Sequence, residues 1–317
     1  MTGADTTLPA SAPVASPRLD GWLIVDKPLG LTSSGVVGRL RRRSGASKLG
    51  HGGTLDPLAT GVLPLAFGEA TKTVGWAMTG RKTYRMRIAW GEERTTDDRE
   101  GAVTETSPER PAAAAIQAAL GAFEGDILQT PPVFSAIKIG GKRAYALARA
   151  DAPPVMVPRP ARIDRIRLVD LPDPDHADLE VDCGKGVYMR ALARDLARAL
   201  GTRGHVAALR RLRVGPFGLE SAISLDEAVD LCHKTALRAH LLPGATALDD
   251  IPALALTEAE AERLRHGQSV LPSLAGERQR LEALGDGTVV SALEGRRLVA
   301  VAECRGGILR PVRVMNL

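Results

Sequence analysis

Two ionisable residues far apart in the chain carry the most pointed chemistry. Asp56 stands at the centre of Gly50-His51-Gly52-Gly53-Thr54-Leu55-Asp56-Pro57-Leu58-Ala59-Thr60-Gly61-Val62-Leu63-Pro64. Gly50, Gly52 and Gly53 admit backbone angles that other residues avoid and let another surface approach the main chain. Pro57 biases Asp56 toward an extended conformation and blocks helix through it. Leu55, Leu58, Val62 and Leu63 flank the carboxylate. A carboxylate among apolar neighbours is poorly solvated, so it takes up a proton or finds a cation. A turn aspartate before proline fits the same stretch without any chemistry. The second residue is Arg190, at the start of a helical pattern in which Leu192, Leu196 and Leu200 recur every fourth residue. The helix dipole disfavours a cation there, so the guanidinium needs a carboxylate or a phosphate.

Other residues could assist. Lys82 to Trp90 alternates as a half-buried strand, with Tyr84, Met86, Ile88 and Trp90 on one face and Arg85 and Arg87 on the other. Tyr84 is then either a core tyrosine or a ring available for stacking on a base. Arg39, Arg41, Arg42 and Arg43, with Lys48 beyond, end a helix that Thr32, Ser33 or Ser34 can cap. These cations complement the helix dipole, or form a phosphate-binding patch leading into the Asp56 loop. Gly184-Lys185-Gly186 is a turn, and the full P-loop spacing is absent, which sets nucleoside triphosphates aside.

The elements that position these residues are legible in outline. Gly21 to Val25 is a short apolar strand running into a Pro-Gly turn. Residues 91–105 read as a polar loop, and 107–123 as a helix on Ile116, Leu120 and Phe123. Residues 129–160, with paired prolines and glycines and the basic Lys138, Lys142 and Arg143, read as an insertion that includes a short helix after Tyr145. Arg162 to Val169 and Leu179 to Cys183 alternate as strands. Gly201 to Gly215, with His205, Leu209, Arg210, Arg211 and Arg213, is a basic segment after the helix, and Ser224 to Glu227 a capping box. A boundary falls near Leu242 to Ile251, after which Thr257 caps a helix to about His266. Short strands fill 289–314.

Composition narrows the function classes. The 317 residues suit one large domain and a smaller one, and 44% hydrophobic with 25% charged residues is ordinary for a globular protein. A net charge of +5 points weakly toward a polyanionic partner. The three cysteines, Cys183, Cys232 and Cys304, have no CxxC spacing, which argues against disulfides and structural zinc and for a cytoplasmic setting. No apolar run is long enough to span a membrane, and no secretory signal opens the chain. Residues 1–18, rich in Ala, Pro, Ser and Thr, are expected to be a disordered tail.

Three stretches together closely resemble the TruB family of tRNA pseudouridine synthases: Lys27-Pro28-Leu29-Gly30-Leu31-Thr32-Ser33, the loop from Gly53 to Pro64, and Cys183-Gly184-Lys185-Gly186-Val187-Tyr188-Met189-Arg190. The likeness spans about residues 20–220 and is looser beyond. It implies an α+β fold: a mixed, largely antiparallel central sheet flanked by helices. A catalytic domain would cover 19–245 with a thumb insertion at about 129–160, and a small β-rich PUA-like RNA-binding domain would cover 246–317. It implies isomerisation of uridine 55 in the TΨC loop of tRNA to its C-glycoside, with no cofactor and no metal. Asp56 would be the catalytic carboxylate. Tyr84 would stack on the target base and has a proton-transfer role, and Arg190 would pair with Asp56. His51 would help displace the base, with Tyr188 and Leu209 packing near it. Lys27, Lys138, Lys142 and Arg143 fall with the RNA-binding residues. A monomer without obligatory protein partner is expected. Attack of Asp56 on the base, attack at ribose C1′ and a glycal route by deprotonation at C2′ all stay open. So do a non-catalytic RNA-binding or chaperone role and a synthase acting on rRNA or within an H/ACA guide complex.

Overall fold

The computed structural model describes residues 19–135, 137–140, 142–144, 147, 154–233 and 236–316; the expected tail 1–18 lies outside the described residues, as does most of the short helix expected after Tyr145. The first half contains β1 (Gly21–Lys27), α1 (Ser33–Ser44), β2 (Leu49–His51), β3 (Ala59–Phe67), α2 (Val74–Thr79), β4 (Lys82–Trp90), β5 (Glu92–Arg94), β6 (Val103–Thr106), α3 (Ala113–Leu120) and β7 (Gly125–Gln129). There follow β8 (Lys138–Ile139), β9 (Lys142–Arg143), β10 (Arg159–Asp173), β11 (His176–Cys183), α4 (Met189–Ala199), β12 (Gly204–Val214), β13 (Phe217–Gly218), β14 (Ile223–Ser224) and α5 (Leu225–His233). The C-terminal part has β15 (Ala253–Ala255), α6 (Glu258–Arg265), α7 (Ala275–Leu284), β16 (Val289–Glu294), β17 (Arg297–Arg305) and β18 (Ile308–Val314).

The large sheet has the order β14-β1-β3-β12-β4-β11-β10-β7, with β2 beside β3 and β13 beside β12. Its pairs are antiparallel except β1–β14 and β3–β12. This is the mixed, largely antiparallel α+β sheet expected. β1 is buried along nearly its whole length because both faces are covered. Leu23 and Val25 pack with Val36, Val37 and Leu40 of α1 and Leu225, Ala228 and Val229 of α5. Trp22 and Ile24 pack on the other side with Val62, Ala77 and Phe217. β4 follows its alternation: Met86, Ile88 and Trp90 are buried, while Arg85 and Arg87 reach Glu180 and Asp178 of the neighbouring β11 at 3.1 and 2.6 Å.

α4 buries Met189, Leu192, Ala193, Leu196 and Ala197 against β4, β11 and β12. Its first turn has no capping side chain of its own. Gln129, at the end of β7, serves instead: Tyr188 N donates to Oε1 at 2.8 Å, and Nε2 donates to Tyr188 O at 3.1 Å. The insertion leaves and re-enters the sheet at a closed base, because Gln129 of β7 pairs with Arg159 of β10. Within it β8 and β9 form a small hairpin carrying Lys138 and Lys142–Arg143, whose side chains lie outside the described atoms.

Three expectations change. The polar stretch 91–105 is not a plain loop: β5 and β6 pair as a hairpin, and its turn holds Asp97 at φ 58. The strand expected over 162–169 extends to Arg159–Asp173 because β7 and β11 pair along different parts of it. The helix α7, with only Leu281 fully buried, had too little apolar periodicity to be read. The second sheet, β15-β16-β17-β18, packs Val290, Val299 and Leu309 against Leu264 of α6 and Leu281 of α7. Thr257 opens α6 with a full capping box to Glu260. Leu248, Leu298, Val301 and Met315 join this sheet to Trp76, and Lys72 Nζ donates to Val314 O at 2.6 Å.

Candidate active site

Asp56 sits on the connection between β2 and β3, and its neighbours are fixed from three sides. Leu55 N donates to Ser33 Oγ of α1 at 2.8 Å, and Ser33 Oγ donates back to Leu55 O at 3.2 Å. Gly30 N donates to Pro57 O at 2.8 Å. Lys27 Nζ donates to Pro28 O, Leu31 O and Pro57 O at 2.9, 2.7 and 3.3 Å. From beneath, Arg211 of β12 donates from Nε to Val62 O at 2.8 Å, from Nη2 to Gly53 O at 3.1 Å and from Nη1 to Thr54 O at 3.3 Å. The loop therefore holds Asp56 in place before any ligand arrives. Gly61 is required for this clamp: at φ +100, a Cβ there would lie 2.1 Å from the Arg211 carbonyl oxygen.

Arg190 Nε meets Asp56 Oδ2 at 3.0 Å; the arginine side chain is 6% exposed and the aspartate 37%. The other two nitrogens are spent elsewhere, Nη1 on Thr96 O and Nη2 on Phe134 O, both at 2.9 Å. Asp98 Oδ2 lies 3.7 Å from Nη1. The pairing is thus a three-way fork from one guanidinium to three chain segments, not a two-pronged clamp on the carboxylate. The arginine that the helix dipole disfavours is offset by one carboxylate in contact, a second nearby and two carbonyl dipoles.

Tyr84 lies on β4 directly opposite Arg211 of β12 and packs against the cluster of Leu55, Leu58, Met86 and Leu209. Burial raises its phenol above the ordinary value, and the Arg211 guanidinium pulls the other way. Leu209 is buried on β12 between Ala59 and Met86. Tyr188 is half-buried just before α4, and burial raises its phenol too, with the charges of Arg190 and Asp56 in range. His51 is half-buried on β2; its Nδ1 has no partner among the described residues, and burial together with Arg211 lowers its pKa. Lys27 corrects an expectation. Placed among RNA-binding residues from the sequence, it is 0% exposed at the buried end of β1, and all three ammonium hydrogens go to backbone carbonyls. Burial lowers its pKa to about 8. It holds the loop and has no donor left for a base.

The structure thus brings Asp56, Tyr84, Tyr188, Arg190 and Leu209 to one face of the sheet beside the root of the insertion. On α1, Arg42 and Arg43 stay exposed, while Arg41 Nη2 is tied to Leu49 O at 2.5 Å and Arg39 to Asp226 at 3.1 Å. Arg211 was legible only as one of a basic run, yet period-two spacing already put it on the face of Leu209. Ser33 was legible only as a candidate helix cap, and Gln129 and Asp98 gave no signal. No cluster of metal-binding side chains occurs among the described residues. No helix there is long and apolar enough to cross a membrane.

Comparison with known proteins agrees with this geometry. Residues 41–189 match the TruB family pseudouridylate synthase N-terminal domain, and residues 190–249 match the tRNA pseudouridylate synthase B C-terminal domain. A protein of Rhodospirillum rubrum named tRNA pseudouridine synthase B is 54% identical over 94% of this chain and 97% of its own. One of the same name from Caulobacter vibrioides is 52% identical over 94% and 97%. A chain of a solved Cbf5-Nop10-Gar1 complex aligns with 90% of this chain and 78% of its own, at 26% identity and a TM-score of 0.69. An archaeal box H/ACA Nop10-Cbf5 complex shares the fold at 23% identity and a TM-score of 0.71, over 96% and 88%. Sharing more than half its residues with such relatives over almost its full length, the chain belongs to the TruB family of pseudouridylate synthases.

Proposed function

We propose that this protein isomerises uridine 55 in the TΨC loop of tRNA to pseudouridine, with Asp56 as the catalytic carboxylate. The observation that carries this reading is an accessible carboxylate on a pinned loop, held at 3.0 Å by a guanidinium that is itself buried. The name shared by the relatives, tRNA pseudouridine synthase B, supports tRNA as the substrate.

The reaction breaks the N1–C1′ bond, rotates the uracil, forms a C5–C1′ bond, releases the C5 proton and takes up one proton at N1. It conserves all other atoms and consumes no redox equivalent. The target base must leave its stack, which costs a few kcal/mol. Stacking on the Tyr84 ring returns roughly 1–3 kcal/mol of that. Asp56 then acts either by bonding to the base or to C1′, or by removing the C2′ proton to give a glycal. In each route Arg190 balances the carboxylate charge while water is excluded by the RNA. Tyr84, within the field of Asp56, is assigned a proton transfer at the base. His51, beside the loop, is assigned to displacing the base, and Tyr188 and Leu209 to packing against it. Lys138, Lys142 and Arg143 on the insertion would supply salt-dependent contacts to phosphates. The β-rich part, within 246–317, is assigned as a PUA-like RNA-binding domain, and the protein as a monomer in the cytoplasm.

The test is tritium release from a tRNA transcript carrying [5-³H]uridine. Wild type should release about one equivalent per tRNA, and Asp56→Asn none, while binding tRNA within about tenfold of wild type. A uridine-55-to-cytidine transcript should release none. Silence from wild type with tRNA bound would replace this reading with RNA binding alone. Release from the cytidine transcript would move the target elsewhere.

A further inference from the structure

We infer that Arg194 and Asp97 are positioning residues that fix the root of the insertion and with it the Phe134 carbonyl, one arm of the fork that holds Arg190 beside Asp56. This rests on the proposed role of the Asp56 site. Arg190 and Arg194 lie one turn apart on α4, and both are buried. Each spans the same two segments. Arg190 reaches Thr96 O in the β5–β6 turn and Phe134 O in the insertion root. Arg194 reaches Asp97 Oδ2 in that turn at 2.8 Å, and Thr130 O in the root at 2.9 Å. Its remaining contact is Nε to Asp195 Oδ1 at 2.9 Å. Gln129 adds a tie from the root to Tyr188.

The turn is a rigid anchor. Asp97 holds φ 58, a left-handed conformation that Asp and Asn adopt more readily than other residues with a side chain. Its N donates to Arg94 O at 2.9 Å and its O accepts from Val206 N at 3.1 Å. Asp98 Oδ1 accepts from Thr96 Oγ1 and from Glu100 N, at 2.5 and 3.0 Å. The insertion root buries Pro131, Pro132 and Ser135 but borders open space on this side. A cleft of about 340 Å³ opens between residues 130–133 and β5, with Asp97, Thr130 and Arg194 in its lining. Arg194 bridges the anchor to the root across the edge of that cleft. Thr130 and Phe134 belong to the same short segment, so the Thr130 tie also limits where Phe134 O can sit. Without Arg194, Phe134 O is held only through the Gln129 tie and the Arg190 fork itself.

The prediction is a split between chemistry and binding. Single-turnover pseudouridine formation and tRNA affinity are measured on the full chain with Arg194→Met, Arg194→Lys and Asp97→Asn. Arg194→Met should slow the single-turnover rate at least tenfold, with the tRNA Kd within threefold of wild type. Lysine can hold Asp97 or the Thr130 carbonyl but not both, and should recover part of the rate. Asn tolerates the left-handed turn and keeps the hydrogen-bonded shape, so Asp97→Asn should fold and lose rate about threefold. If Arg194→Met does not fold, Asp97→Asn and Arg194→Lys decide. Wild-type rates in folded variants would overturn the inference, as would parallel losses of rate and affinity. A wild type that forms no pseudouridine would instead remove the reading of the Asp56 site on which it rests.

Discussion

Replacing Arg211 with lysine tests whether the site depends on a clamp beneath it. Arg211 is 1% exposed and donates to Val62 O, Gly53 O and Thr54 O, on both sides of Asp56. A lysine keeps the charge but directs one compact ammonium at one or two of those carbonyls. At least one buried carbonyl is then orphaned, at about 1–3 kcal/mol. The remaining charge-assisted bonds are weakened as well, so the total loss is about 3–5 kcal/mol, in the range for disturbing a buried, fully partnered cation. That is a large part of the 5–15 kcal/mol that typical domains possess. Urea unfolding followed by tryptophan fluorescence reads the loss directly, since Trp22 packs in the cluster with Val62. Single-turnover activity should fall on the order of a hundredfold, because a loop displaced by about 1 Å carries Asp56 with it. A stability loss below about 1 kcal/mol together with a wild-type rate would refute the clamp. A large stability loss with an unchanged rate would confine Arg211 to folding.

Gly61→Ala should destabilise by about 2–5 kcal/mol, from the positive φ and the clash with the Arg211 carbonyl, measured by the same unfolding curve. The buried ammonium of Lys27 has a folded pKa of about 8 against 10.5 in the unfolded chain, so the unfolded chain binds more protons between those values. Unfolding free energy should rise between pH 8 and 9, by about 1 kcal/mol from Lys27, and Lys27→Met should remove that increment while Lys82, also lowered to about 8 by burial, keeps its own. Glu69 ties Asn316 N to the large-sheet part of the chain; burial opposes its ionisation, but Lys72, Asn316 N and Lys48 outweigh it and bring its pKa to about 2. Its contribution is present above pH 4.5 and is lost as pH falls toward 2, so the acid limb of wild type should be steeper than that of Glu69→Gln in thermal melts. Neutralising Lys138, Lys142 and Arg143 together should lower the slope of log Kd against log salt for tRNA, with the affinities read by filter binding.

What the sequence revealed depended on whether a local pattern carried the information. The glycines and Pro57 around Asp56, the alternation of β4 and the unfavourable place of Arg190 are local, and each was legible. The long-range partners were not. Arg211 looks like any cation in a basic run until β12 is inserted between β3 and β4, where both of its edges are paired and the Arg211 side chain is buried. Lys27 belongs to a motif whose nearest reading is contact with RNA, but a lysine ending a strand buried on both faces has only backbone to bond. The β5–β6 turn read as loop because its strands are three and four residues long and mostly polar. Its value lies in presenting Thr96 O, Asp97 and Asp98 to α4, a contact separated by about ninety residues of chain.

The fork of Arg190 bears on how the site can work. A buried ion pair often adds little to stability, because desolvation consumes the attraction. Here two of the three contacts are to carbonyls of Thr96 and Phe134 rather than to Asp56. The guanidinium is therefore held in place whether or not Asp56 carries its charge. In every route proposed for Asp56, its carboxylate would bond to carbon or accept a proton, and the negative charge would move onto the base or ribose-derived fragment. An arginine fixed mainly by its partner would relax as that charge left. One fixed by two backbone carbonyls stays, so its field is preorganised for the moment when the charge shifts and no reorganisation is required then. Stability of the pair is thus secondary; what the fork secures is the position of a positive charge while the carboxylate beside it changes state.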